Sequence, residues 1–195
     1  MQNLEISQAT KIVLVGASTG GPGQIQKIIN SLPQLHNTSI IIAQHMASDF
    51  MPSFAKRVQS HTALNVHIVK DGQKLESSSI FICEGNTQIK QKNSRLIFEQ
   101  EKSSTDSYNP NINYIFNSFC TLTNELEILC VILTGIGDDG IEACQNLKSL
   151  GVRCITESSR SAIVDGMPSR ARANIKEIEI DDIENIVKKI SEFCK

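Results

Sequence analysis

The sequence predicts an α/β fold, a doubly wound and mostly parallel β-sheet with helices on both faces. Continuous apolar runs at residues 12–15, 39–43 and 128–133 are typical of strands buried on both faces of a parallel sheet. Segments with helical periodicity follow these runs, and strand–helix alternation at this spacing is typical of such sheets. The length of 195 residues suits a single domain.

The first strand, at residues 11–15, ends at a turn whose sequence is Gly-Ala-Ser-Thr-Gly-Gly-Pro. The paired glycines are expected to turn the backbone tightly and to expose N–H groups, and Pro22 suits the first position of a helix. That helix is predicted at residues 24–32, where isoleucines recur at helical spacing. The second strand, at residues 39–43, is followed by a predicted amphipathic helix at residues 49–60.

The middle of the chain has a different pattern. Residues 65–70 alternate and predict a short strand. Three short segments at residues 79–83, 87–90 and 95–99 are separated by polar turns, which predict a hairpin or meander on an exposed sheet. Residues 100–110 are polar and predict a flexible loop with a functional role.

The α/β alternation then returns. Gly151 is expected to end the helix that follows the most apolar strand, because glycine readily adopts the left-handed conformation of a helix C-terminus. The other elements predicted for this half are a helix at residues 112–122, strands at 128–133, 152–156 and 177–180, and helices at 168–173 and 181–193.

Composition excludes several classes of protein. The net charge of −2 does not suggest a nucleic-acid-binding protein. No run approaches the ~20 apolar residues of a membrane span, and the first ten residues lack the features of a signal peptide. We therefore expect a cytoplasmic protein in which residues 1–10 form a flexible lead-in and residues 11–195 form one catalytic domain.

The six cysteines are scattered, without a Cys-x-x-Cys spacing. Cys130 and Cys154 fall inside apolar strands, where a free cysteine behaves as a small hydrophobic residue. We expect all six to be reduced and structural, and the spacing of histidines and cysteines predicts no metal site. No cofactor is predicted.

Three polar positions follow predicted strands directly: Ser18, His45, and the pair Asp138 and Asp139. Parallel strands present their carboxyl ends at one edge of the sheet, where ligands bind. A serine hydroxyl becomes a nucleophile when a base takes its proton and a third group orients that base. The three positions together therefore predict a catalytic serine, histidine and aspartate.

Acyl transfer also needs N–H donors directed at the developing oxyanion. Thr19 begins the first strand–helix turn and Ile136 lies in the glycine-rich turn near Asp139, so both are candidates. Each position alone has a simpler interpretation. The turn around Ser18 could bind phosphate, His45 could be structural, and either aspartate could cap a helix.

A nucleotide-binding module is the alternative from another class of protein. The pattern Gly-x-Gly-x-x-Gly runs from Gly135 to Gly140, between a strand and a helix, and Glu157 lies near the position expected for a ribose-binding acid. Against it, Asp138 and Asp139 would face the bound pyrophosphate, and such a pattern belongs to a first βαβ unit rather than a late one.

Three motifs in order resemble one known family. GASTGG with Ser18, AQHM with His45 and LTGIGDDG with Asp139 resemble the catalytic domain of the CheB chemoreceptor methylesterases. The stretches VDGMP at residues 164–168 and NPNINYIF at residues 109–116 are similar more loosely, and the similarity runs from about residue 11 to the C-terminus.

The resemblance implies a cytoplasmic serine hydrolase that removes methyl groups from glutamate γ-methyl esters on chemoreceptor helices. Many relatives also deamidate receptor glutamines, so a general protein glutamine amidase is a further alternative. It implies that Ser18 is the nucleophile, His45 the base and Asp139 its orienting partner. Thr19 matches the neighbour that helps to form the oxyanion site, and Ile136 replaces a usual methionine. The implied partners are methyl-accepting receptors, and we expect a monomer.

The chain also departs from the family pattern. Residues 84–86 are Glu-Gly-Asn where Pro-Gly-Asp and a histidine are usual, and residues 111–113 are Asn-Ile-Asn where Ser-Val-Asp is common. We expect these changes to affect substrate recognition. Ten residues before the first strand leave no room for the usual receiver domain, so we expect activity that a phosphodonor does not change.

Overall fold

The computed structural model describes residues 8–101 and 109–195. Its strands are β1 (Lys11–Ala17), β2 (Thr38–Gln44), β3 (Asn65–Ile68), β4 (Ser79–Ile82), β5 (Asn86–Lys92), β6 (Arg95–Glu101), β7 (Glu127–Ile132), β8 (Arg153–Glu157) and β9 (Glu179–Asp181). Its helices are α1 (Gly21–Asn30), α2 (Met51–Gln59), α3 (Ile112–Ser118), α4 (Ile141–Ser149), α5 (Gly166–Asn174) and α6 (Ile183–Phe193). Two 3₁₀ turns, Ser48–Phe50 and Cys120–Leu122, precede α2 and follow α3.

Seven of the described strands form one parallel sheet in the order β3-β4-β2-β1-β7-β8-β9. From the central strand β1 the chain moves to β2 on one side, and it later returns to β7 on the other side. The reversal of direction leaves a crevice at the carboxyl ends of these strands. The predicted doubly wound α/β fold, with a small antiparallel pair formed by β5 and β6, is confirmed.

Two apolar layers cover the faces of the sheet. Successive side chains of a strand point to opposite faces, so Leu14 packs on the side of α3, α4 and α5, whereas Val13 packs on the side of α1, α2 and α6. The strands are buried on both sides, which explains why their sequences are continuous rather than alternating apolar runs.

The expected hairpin or meander at residues 79–99 is wrong for its first segment. β4 is buried throughout and pairs in parallel with both β2 and β3, with Ile80 opposite Ile40 and Val66. Only β5 and β6 form a hairpin. The polar turns on either side of β4 suggested a hairpin, but its four-residue run is that of a fully buried strand.

The two segments expected to be flexible differ in outcome. Residues 102–108 of the expected loop lie outside the described residues, as do residues 1–7 of the expected lead-in. The flexible lead-in does not extend to residues 8–10. Ala9 is fully buried, Gln8 Oε1 accepts a hydrogen bond from Leu96 N at 2.8 Å, and Thr10 O accepts one from Glu127 N at 2.9 Å.

None of the described helices is long and apolar enough to cross a membrane. The longest of them, α6, has 11 residues and buries one face that includes Ile183, Ile186 and Ile190.

An ion-pair cluster at the outer edge of the sheet generates a prediction about acid stability. Arg153 donates through Nε and Nη2 to the two Glu179 oxygens at 2.7 and 2.9 Å, and Lys189 Nζ lies 2.9 Å from Glu179 Oε2. The hydrogen bonds from Arg153 lower the pKa of Glu179 to about 2. A carboxyl whose pKa falls on folding adds stability above its unfolded pKa and loses that contribution as the pH falls toward its folded pKa.

We therefore expect Glu179→Gln to lower the free energy of unfolding at pH 7 by about 1 kcal/mol or less, since the pair is partly exposed to solvent. The difference from the parent should shrink between pH ~4.5 and ~2, as measured by urea unfolding. Glu177→Gln is the control, because the side chains of Glu177 and its partner Lys176 are 78% and 90% exposed. A deficit for Glu179→Gln that stays constant down to pH 2 would contradict the assignment.

Candidate active site

The register of the sheet places Ser18 and His45 beside one another. Ala17 pairs with Gln44 across β1 and β2, and Ser18 and His45 are the next residues of the two strands. The amide of His45 donates to the Ala17 carbonyl at 2.9 Å, which extends the ladder by one residue. Because neighbouring strands lie about 4.8 Å apart, the two partly buried side chains leave the sheet at the same point of its carboxyl edge.

Asp139 completes this group from the turn after β7. His45 Nε2 lies 2.8 Å from Asp139 Oδ2, and the aspartate is only 2% exposed. The same carboxylate accepts hydrogen bonds from the first two amides of α3, Ile112 N at 2.7 Å and Asn113 N at 2.9 Å. These three donors fix the position of the Asp139 carboxylate. Because Nε2 of His45 is bound to Asp139, Nδ1 is the ring nitrogen that can exchange a proton with a neighbouring hydroxyl.

The N-cap position of α4 is not held by an aspartate, although the sequence suggested one. Gly140 occupies the N-cap position in the left-handed conformation, with a φ of 89° and no side-chain cap, and the Asp138 backbone carbonyl accepts the Ile141 amide at 3.1 Å. The side-chain acceptor for α4 comes from α3, where Asn113 Oδ1 accepts the Ala143 amide at 2.9 Å. Asn113 of α3 therefore accepts an amide of α4, while Asp139, just before α4, accepts two amides of α3.

The turn after β1 is held by hydrogen bonds to the backbone of Ser18. The Ser18 amide donates to Thr134 O at 3.0 Å, and the Ser18 carbonyl accepts the Gly21 amide at 2.9 Å. The expectation that Gly21 exposes its N–H is therefore wrong. Gln44 Nε2 donates to the carbonyls of both Ser18 and His45 at 2.9 Å, so one side chain links the two segments.

The turn after β7 packs directly against Ser18. A Cβ atom on Gly135 would lie 2.7 Å from Ser18 Cβ and 2.4 Å from Met167 Sδ, so this position requires glycine. Ile136 follows Gly135 and is 62% exposed, while Thr19 follows Ser18 and is also exposed. Among the described residues, neither the Thr19 amide nor the Ile136 amide donates a hydrogen bond to a protein acceptor. Two unused donors thus flank the serine.

The side chain of Glu157 lies inside the protein, whereas the nucleotide-binding alternative requires it to be accessible to a ribose. It is fully buried and accepts hydrogen bonds from Gln24 Nε2 at 2.6 Å, Ser161 Oγ at 2.9 Å and Thr134 N at 2.9 Å. Burial raises its pKa, and these hydrogen bonds oppose the increase. A carboxylate enclosed in this way cannot reach a ribose.

Several contacting residues were missed by sequence reasoning. Gln44 precedes His45 in the AQHM motif, but the sequence pattern does not show which groups its side-chain amide contacts. The residues expected to affect substrate recognition make contacts within the protein. Asn111 Oδ1 accepts the Tyr114 amide at 2.9 Å and caps α3, and Gly85 N donates to Asn109 Oδ1 at 2.7 Å. Asn109 in turn accepts the Met46 amide through its carbonyl at 2.9 Å.

Fold and site define a doubly wound α/β protein with a serine, a histidine and an aspartate at the carboxyl edge of its sheet. Residues 13–190 match the family model described as CheB methylesterase. The crystal structure of the Thermotoga maritima CheB methylesterase catalytic domain is similar, with a TM-score of 0.84 and 28% identity over 94% of this chain and 98% of that chain. The chain belongs to the CheB methylesterase family.

Two curated relatives carry names that describe an activity. Protein-glutamate methylesterase/protein-glutamine glutaminase 2 of Carboxydothermus hydrogenoformans is 33% identical, over 95% of this chain and 54% of the relative. Protein-glutamate methylesterase/protein-glutamine glutaminase of Bacillus subtilis is 32% identical, over 95% of this chain and 53% of the relative. The chain thus spans about half the length of these relatives.

The close approach of Gly135 to Ser18 generates a prediction about stability. Gly135→Ala forces Ser18 or Met167 to move and should lower the free energy of unfolding by about 1–3 kcal/mol, as overpacking does. Gly23→Ala is the matched control, because a Cβ there would meet nothing within 4 Å. In α1 that change should be neutral or stabilising by up to ~1 kcal/mol. Urea unfolding of both variants tests the difference, and equal free energies of unfolding would contradict the packing described.

Proposed function

We propose that this chain is a serine-dependent protein-glutamate methylesterase acting on γ-methyl esters of glutamates in the cytoplasmic helices of chemoreceptors. One observation carries the proposal. His45 Nε2 contacts the buried carboxylate of Asp139 at 2.8 Å, next to the carboxyl end of β1, where Ser18 lies. A histidine oriented by a buried carboxylate beside a serine is the arrangement that activates a hydroxyl for acyl transfer. The names of the relatives support the substrate class.

In the first half of the reaction, Ser18 Oγ attacks the ester carbonyl carbon while His45 takes the hydroxyl proton. The negative charge that develops on the carbonyl oxygen is stabilised by the backbone amides of Thr19 and Ile136. The tetrahedral intermediate collapses as His45 returns the proton to the leaving oxygen, which departs as methanol. A glutamyl ester on Ser18 remains.

In the second half, His45 takes a proton from water, and the hydroxide attacks the glutamyl ester. The intermediate collapses with return of the proton to Ser18 Oγ, and free glutamate is released. Asp139 holds the imidazole in position and stabilises its protonated form in both halves. Its two further donors, Ile112 N and Asn113 N, keep the carboxylate fixed while the charge on His45 changes.

Deamidation of receptor glutamines is the second candidate activity, since the relatives' names include protein-glutamine glutaminase. The steps are the same except that ammonia leaves in place of methanol. We propose that the enzyme acts as a monomer in the cytoplasm, where the receptor helices and their modified glutamates are found.

Ser18→Ala should reduce methanol release from methylated receptor cytoplasmic fragments by at least ~10³-fold, since the nucleophile is removed. The fold should persist, because Ser18 is held by its backbone groups, so urea unfolding should show a change of about 0.5 kcal/mol or less. Turnover within tenfold of the parent enzyme would refute the nucleophile assignment.

An NAD titration run in parallel tests the nucleotide-binding alternative, which predicts saturable binding.

The two adjacent aspartates should differ sharply in the same assay. Asp139→Asn should lower turnover by ~10²–10⁴, the range expected when a histidine loses its orienting carboxylate. Asp138→Asn is the matched control and should leave turnover within about threefold, because the carbonyl that accepts the Ile141 amide is unchanged by the substitution. The opposite ranking of the two rates would show that the orienting carboxylate is Asp138.

A further inference from the structure

Three cysteines that are far apart in the sequence meet beneath α4. Cys130 lies in β7, Cys154 lies in β8 directly opposite it, and Cys144 lies on α4. All three side chains are fully buried, and their sulfur atoms all lie within 4.8 Å of one another. Six free thiols are present, in agreement with the expectation of reduced cysteines. Sequence spacing does not reveal this cluster, because the three residues come from three separate elements.

The three thiols lie close together beside a positive charge. Cys154 Sγ donates to the carbonyl oxygens of Cys144 at 3.6 Å and Val152 at 3.5 Å, and burial raises the pKa of Cys130. Lys148, one turn along α4 from Cys144, is close enough to favour negative charge on Cys144 and Cys154. Thiolate is the form of cysteine that binds metals. The three sulfurs therefore converge on one point, with a positive charge nearby to support the thiolates that a bound ion requires.

We propose that Cys130, Cys144 and Cys154 form a binding site for a soft monovalent metal ion, Cu(I), held by three sulfur atoms. Soft thiolate ligands select Cu(I), zinc and iron–sulfur clusters. Structural zinc takes four ligands in a tetrahedron. Among the described residues no fourth histidine, cysteine or carboxylate joins this group. Cu(I) is satisfied by three sulfurs.

The binding step balances in charge and protons. Cys130, Cys144 and Cys154 each lose a proton to solvent as the ion binds, so three protons are released per Cu(I). The resulting complex carries a charge of −2, part of which the Lys148 ammonium offsets.

The test is an anaerobic titration of the reduced 195-residue chain with Cu(I) in competition with a chromophoric chelator. We expect one high-affinity equivalent and a higher thermal transition in the loaded protein. The affinity should rise by about 1,000-fold per pH unit near neutrality, because three protons are released. X-ray absorption at the copper edge of the parent protein should show three sulfur ligands. That measurement needs no variant, so it remains decisive if a variant fails to fold.

Single alanine substitutions at Cys130, Cys144 and Cys154 should abolish the stoichiometric equivalent. Cys83→Ala and Cys194→Ala are the matched controls, since both residues are buried thiols outside the cluster, and burial raises the pKa of Cys194 to about 12. A parallel titration with Zn(II) should give no stoichiometric binding to the cluster.

Several separate outcomes of the titration and the copper-edge spectrum would overturn the proposal. They are no Cu(I) binding by the folded parent protein, equal loss in the control variants, nitrogen or oxygen ligands at the copper edge, and Zn(II) binding as tightly as Cu(I). A disulfide between Cys130 and Cys154 that forms in place of ion binding, detected by thiol counting, would also overturn it. The test does not depend on esterase activity, because none of the three cysteines belongs to the Ser18 site.

Discussion

The structure depends on the hydrogen bonds of one buried carboxylate. Asp139 is 2% exposed and accepts from His45, Ile112 and Asn113, so it joins the ends of β2 and β7 to the beginning of α3. A buried carboxylate without donors would cost several kcal/mol, and this cost makes the three contacts obligatory for the fold. The same contacts orient the imidazole, so the requirement for a stable site and the requirement for an active one coincide at Asp139.

The sequence predicted those parts of the site that follow from the geometry of parallel strands. Ser18 and His45 each come immediately after an apolar strand, and parallel register alone brings such residues to one edge. Asp139 could be named only together with its neighbour Asp138, and the family resemblance chose between them. In the structure, the carboxylate of Asp139 contacts His45.

Other parts could not be predicted, because they depend on side-chain contacts between distant segments. The amide of Gln44 links Ser18 to His45, and Asn113 caps α4 from another helix, but neither contact has a periodicity or spacing that reveals it. β4 was misjudged for a related reason. Four apolar residues between polar turns fit either an exposed hairpin or a buried strand, and only the pairing with β2 and β3 decides between them.

The exchange of caps between α3 and α4 has a consequence for motion. The amides of Ile112, Asn113 and Ala143 donate to side chains rather than to carbonyls of their own helices. Their hydrogens can exchange with solvent only when the junction between the two helices opens, whereas amides inside each helix exchange when that helix frays. The amide hydrogen-exchange rates of these three residues therefore report how often the site opens, and they can be measured without any substrate.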